Sequence, residues 1–179
     1  MNIARLAATI SLILSLGCAA SVFAAQTDTM VINATVSPVL SVHATGVPSG
    51  LSLQSPSTGG AVPAGGADSS TYLLYTSSVA SAGTHRVTVA LGAPLPTGVT
   101  LKLQASAPAG DKVGTVGTPS AALTLSTTAQ SLITGIGACY TGTSAGDGAQ
   151  LSYHLAVATW ASYKAFTASN TTITFTMTN

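Results

Sequence analysis

Three histidines, a cysteine and four aspartates are the residues of the exported part of this chain best suited to chemistry, and their spacing limits what they can do. His43, His85 and His154 stand too far apart for the short repeat of a metal-binding pair, so each reads as a surface or structural histidine. His154 alternates with Tyr153 and Leu155 and is expected to face away from them. Cys139 and His154 are a conceivable nucleophile and base, but no third residue can be placed to orient them. Asp28, Asp68, Asp111 and Asp147 are scattered among loops, which argues against the paired carboxylates of hydrolysis. Asp147 sits in Gly146-Asp147-Gly148, where one acid could contribute to calcium binding. No further acids follow at loop spacing, so a turn-forming aspartate is expected. There is no Gly-x-Ser-x-Gly elbow, and Thr134-Gly135-Ile136-Gly137 has neither the lysine nor the following helix of a phosphate loop. The expectation is a protein that is not an enzyme, with no catalytic residue, metal or cofactor.

The elements that hold these residues are set by an unusual composition. Residues 1–24 have the plan of an export signal: Arg5, then apolar Leu6 to Leu16, then Val22-Phe23-Ala24 as a small-residue cleavage site. Leu14-Ser15-Leu16-Gly17-Cys18 approaches a lipoprotein-processing sequence, with leucine one place from its usual position; loss of Cys18 with the signal is the simpler reading. No later stretch reaches the roughly 18 apolar residues of a membrane span, so none is expected after the signal is removed. Without Arg5 the four bases Arg86, Lys102, Lys112 and Lys164 balance the four acids, and glutamate is absent. So sparse a charge gives no basic stripe for a phosphate backbone and excludes nucleic acid as a partner. Near-zero net charge also favours self-association. Cys139, the one thiol left in an oxidising compartment, has no internal disulfide partner. It reads as a buried small hydrophobe, with intermolecular pairing or a reactive thiol as alternatives.

Threonine, serine, alanine, glycine and valine dominate, and short alternating runs recur between Gly/Pro/Ser punctuation. That pattern predicts an all-β sandwich or barrel. Strands are expected over Thr29–Val36, Val39–Thr45, Leu51–Gln54, Tyr72–Thr76, Arg86–Leu91, Val99–Ala105, Ala121–Ser126, Ser131–Ile136, Leu151–Ala158 and Thr171–Thr178. Thr159 to Phe166 has room for a short helical turn or another bend. The glycine-rich stretches Gly59 to Gly66, Gly92 to Pro96, Ala107 to Asp111 and Gly142 to Gly148 read as loops within one domain.

Two of these runs stand out. Met30, Ile32, Ala34 and Val36 alternate along one face near the start of the exported chain, and Ile173, Phe175 and Met177 along one face of the last run. The two could pair within a self-contained sandwich, or the first could leave its own domain and add as a strand to a neighbour. Ile32-Asn33-Ala34-Thr35-Val36-Ser37-Pro38-Val39-Leu40-Ser41-Val42 resembles the mature start of alpha-type chaperone–usher fimbrial subunits, in which a donor segment leads through a valine-x-proline-valine turn into the first domain strand. The resemblance implies an immunoglobulin-like β-sandwich over residues 39–179, preceded by a donor-strand segment at 25–38. It implies Met30, Ile32, Ala34 and Val36 as the donated face, and Ile173, Phe175 and Met177 as the edge gripped by a periplasmic chaperone. The partners implied are copies of the chain or related subunits, that chaperone and an outer-membrane usher. The destination implied is a fimbrium on the cell surface, reached through the periplasm. The alternative is a self-contained secreted sandwich that binds carbohydrate or protein at the cell surface.

Overall fold

The structure, a computed structural model, describes residues 30–79, 83–164 and 171–179. The chain divides into two units, Met1–Thr35 and Val36–Asn179. Within the first, the described residues Met30–Thr35 form no strand. The alternating run expected as a strand over Thr29–Val36 is therefore not one at its described positions 30–36. Alternation prepares a strand, but a strand also needs a hydrogen-bonded neighbour, and no sheet includes these residues. The expected signal peptide at 1–24 lies outside the described residues.

The second unit is an all-β sandwich. Its strands are β1 (Leu40–Thr45), β2 (Leu53–Gln54), β3 (Ala64–Gly65), β4 (Ala67–Ser77), β5 (His85–Leu91), β6 (Val99–Ala105), β7 (Val113–Gly114), β8 (Thr118–Pro119), β9 (Leu123–Thr124), β10 (Gln130–Ile136), β11 (Cys139–Tyr140), β12 (Ala149–Val157) and β13 (Ile173–Thr178). A short 3-10 turn, Trp160–Ser162, follows β12. One sheet has the order β7-β11-β4-β12-β6-β9, with β1 also paired to β4. A second has the order β13-β5-β10-β8, and β2 and β3 form a small ribbon. All pairings are antiparallel.

The period-two runs bury one side chain in two, as the pleat requires. Val99, Leu101, Leu103 and Ala105 of β6 point inward, as do Ala149, Leu151, Tyr153 and Leu155 of β12. They meet Val87, Val89 and Leu91 of β5 and Leu132, Ile133 and Ile136 of β10 in one core. Full burial of a Val, Leu or Ile side chain stabilises the fold by about 1.5–3 kcal/mol, so this aliphatic core is the principal source of stability. Among the described residues no helix is long and apolar enough to cross a membrane.

Candidate functional site

β4 is the longest strand and divides its neighbours. One edge carries β1; the other carries β11 at its end and β12 along the rest. Among the described residues β1 thereby becomes one border of the first sheet, while β13, paired only to β5, borders the second. The two borders lie side by side, one from each sheet.

Register shows what they leave open. Leu40, Val42 and Ala44 of β1 stand opposite Ser77, Tyr75 and Leu73 of β4, all three buried. Opposite residues share a face of the sheet, so the β1 residues continue the inward row. Leu40 is nevertheless 42% exposed, Ala44 is exposed and Val42 only half-buried. In the second sheet Ile173, Phe175 and Met177 stand opposite the buried Leu91, Val89 and Val87, yet each is only half-buried. Two inward-facing apolar rows therefore reach an open flank.

The backbone of that flank is equally specific. Gly92 N–H donates to Thr172 O at 2.8 Å, so along this antiparallel ladder Thr174, Thr176 and Thr178 exchange hydrogen bonds with β5. The N–H and C=O groups of Ile173, Phe175 and Met177 then point to the free edge. Ser78 N–H donates to Val39 O at 2.8 Å, which by the same alternation directs the peptide groups of Leu40, Val42 and Ala44 away from β4. Among the described residues each border thus presents peptide groups without a strand partner, and apolar side chains, at the same positions. An extended segment with every second residue apolar could satisfy both.

Met30, Ile32, Ala34 and Val36, expected as a donated face, have just that alternation. They lie outside every strand and are exposed, Met30 by 86% and Ile32 by 80%. The residues considered for catalysis are not brought together. His43 is exposed on β1 and His154 exposed on β12. His85 is buried on β5, where Nδ1 lies 2.8 Å from Ser77 Oγ. Cys139 is buried beneath β11, and burial pushes its thiol pKa up, against the weaker effect of a backbone hydrogen bond from Ser77. Among the described residues no three His, Cys, Asp or Glu side chains gather as a metal site. Leu40, Val42 and Ala44 are not among the site residues expected from the sequence, although all three fall in the strand expected over Val39–Thr45. Comparison with protein-family models, curated proteins and solved structures gives no match.

Proposed function

We propose that the chain is a structural, non-enzymatic subunit of a secreted fimbria-like surface polymer, assembled by donor-strand exchange between immunoglobulin-like sandwiches. The observation that carries this reading is the open flank, where Leu40, Val42 and Ala44 face Ile173, Phe175 and Met177 across two unpaired strand edges. An N-terminal strand of a neighbouring copy, with Met30, Ile32, Ala34 and Val36 facing inward, closes both rows in the polymer. Before assembly a periplasmic chaperone covers the same edge, and an outer-membrane usher passes the subunits on. Main-chain hydrogen bonds supply affinity and the alternating side chains fix the register. A self-contained sandwich has no need of a flank whose inward side chains are at best half-buried, so the same observation weighs against the binding-module alternative.

The test is size analysis and thermal melting of the purified protein with and without a peptide copying Thr27–Val36. The peptide is expected to bind, raise the melting midpoint and suppress self-association. At 100 times its dissociation constant it stabilises by about 2.7 kcal/mol. In cells, deletion of Ala25–Val36 is expected to leave export intact and abolish polymer. A stable monomer indifferent to the peptide, or normal polymers from the truncated chain, overturns the proposal.

A further inference from the structure

The outer face of the larger sheet carries a second feature, independent of the open flank. Val113 of β7, Tyr140 of β11 and Thr76 of β4 are successive register partners, so their side chains form a row across three strands. Tyr140 is 47% exposed and Val113 55% exposed. Two loops rise beside this row: Gly110–Lys112, leading into β7, and Gly142–Asp147, leading into β12. Together they enclose an open cleft of about 630 Å³, within the roughly 300–1,000 Å³ of small-molecule sites.

The cleft is held in shape from below. Asp147 is buried; its Oδ1 accepts from Asp111 N–H at 3.3 Å and its Oδ2 from Ser144 N–H at 2.7 Å. One carboxylate therefore ties both loops. Gly110 and Gly142 have φ of +73° and +85°, and a Cβ on either would run into the Asp147 carboxylate, so both positions require glycine. Lys112 Nζ is itself drawn back to Pro108 O. A cleft with its loops fastened before any ligand arrives loses less conformational entropy on binding.

Its lining selects the ligand class. The walls offer the hydroxyls of Thr76, Thr143 and Ser144, with peptide groups at Gly110 and Gly142. Tyr140 supplies a flat apolar ring with a hydroxyl at its tip, beside the methyls of Val113. Asp111, Lys112 and Asp147 leave the cleft a formal charge of −1, so an anion finds no net counter-charge. Both oxygens of the buried Asp147 are already taken by amides, which leaves a cation one exposed carboxylate beside a lysine. A mainly apolar ligand would desolvate the hydroxyls without replacing their hydrogen bonds. What fits is a molecule with one apolar face and a rim of hydroxyls. We infer that the cleft over Thr76, Tyr140 and Val113 binds a neutral saccharide, with a sugar ring laid on Tyr140 and its hydroxyls bonded to the two loops.

The test is binding of the purified full chain to an array of neutral, sialylated and sulfated oligosaccharides, with affinities of retained neutral glycans measured by calorimetry. Native protein is expected to retain neutral glycans in preference to charged ones. Tyr140→Ala is expected to weaken them by at least about tenfold with the melting midpoint kept. Thr143→Trp, which fills the cleft from an exposed loop position, decides the matter if Tyr140→Ala unfolds. Trp160→Ala, removing the exposed aromatic stacked on Tyr163 elsewhere on the domain, is expected to leave binding unchanged. Retention of no neutral glycan, a preference for charged glycans, or loss in Trp160→Ala in place of the cleft variants overturns the assignment. Since none of these measurements involves strand exchange, their outcome is separable from that of the peptide test.

Discussion

Asp147, Tyr75 and Cys139 show how single polar groups are accommodated in an aliphatic domain. Replacing Asp147 with alanine strands the Asp111 and Ser144 amides and is expected to cost about 1–3 kcal/mol, read as a shift in urea midpoint. Tyr75 donates its hydroxyl to Val116 O, and its phenol pKa is pushed far above the ordinary range, by burial first and by the Cys139 charge second. Burial also raises Tyr153. Groups held protonated by the fold stabilise it fully below their unfolded pKa values, about 8.5 for a thiol and about 10 for a phenol. Above those values the unfolded chain sheds protons that the folded chain keeps, so stability falls as pH rises toward the raised folded values. Urea midpoints are therefore expected to hold steady up to pH about 8 and then drop. Tyr75→Phe is expected to flatten the drop above pH about 10, even though losing its hydrogen bond lowers the starting value.

The borders β1 and β13 carry a prediction that belongs to strands. Proline removes a donor, and an edge strand tolerates it only where that donor points outward. Ala44→Pro falls at such a position and is expected to leave the melting midpoint within a few degrees while weakening capture of the Thr27–Val36 peptide. His43→Pro, one residue away, removes a donor directed at β4 and is expected to cost about 1–3 kcal/mol. Equal melting losses in the two variants would contradict the register argument. Much of this scale was legible in the residues. The runs Val99–Ala105 and Leu151–Ala158 announce β6 and all but the first two residues of β12, because seven or more alternating positions define a period. Val113–Gly114, Thr118–Pro119 and Cys139–Tyr140 were missed, since two residues have no period to read. Alternation also says which face is inward without saying which edge is paired, so the one-sidedness of β1 and β13 needed the structure. The cleft was illegible for a similar reason. Its loops were recognised as loops, but only the pairing of β7, β11 and β4 sets Tyr140 between them.

At the scale of the whole molecule, charge is nearly absent and apolar rows reach the surface on one flank. Association through that flank is expected to change little between about 0.05 and 0.5 M salt, since few charges are there to be screened. Sedimentation across that range would detect the steep dependence of an electrostatic contact. In a polymer, the cleft on every copy would repeat along the fibre, and weak single-site affinity would be multiplied by simultaneous engagement. The topology adds a demand of another kind, on the order of folding. Thr88 of β5 and Thr176 of β13 pair across 88 residues, whereas Thr45 of β1 meets Tyr72 of β4 across only 27. As the chain grows from its N-terminus, β1 can find β4 early, but β5 waits with one edge bare until residues 173–178 have been made. Closure over such a distance is slow, and the waiting intermediate exposes the inward rows of β5 as well as those of β1. For the chaperone proposed above, the length of chain between these two partner strands would set how long the bare edge has to be covered.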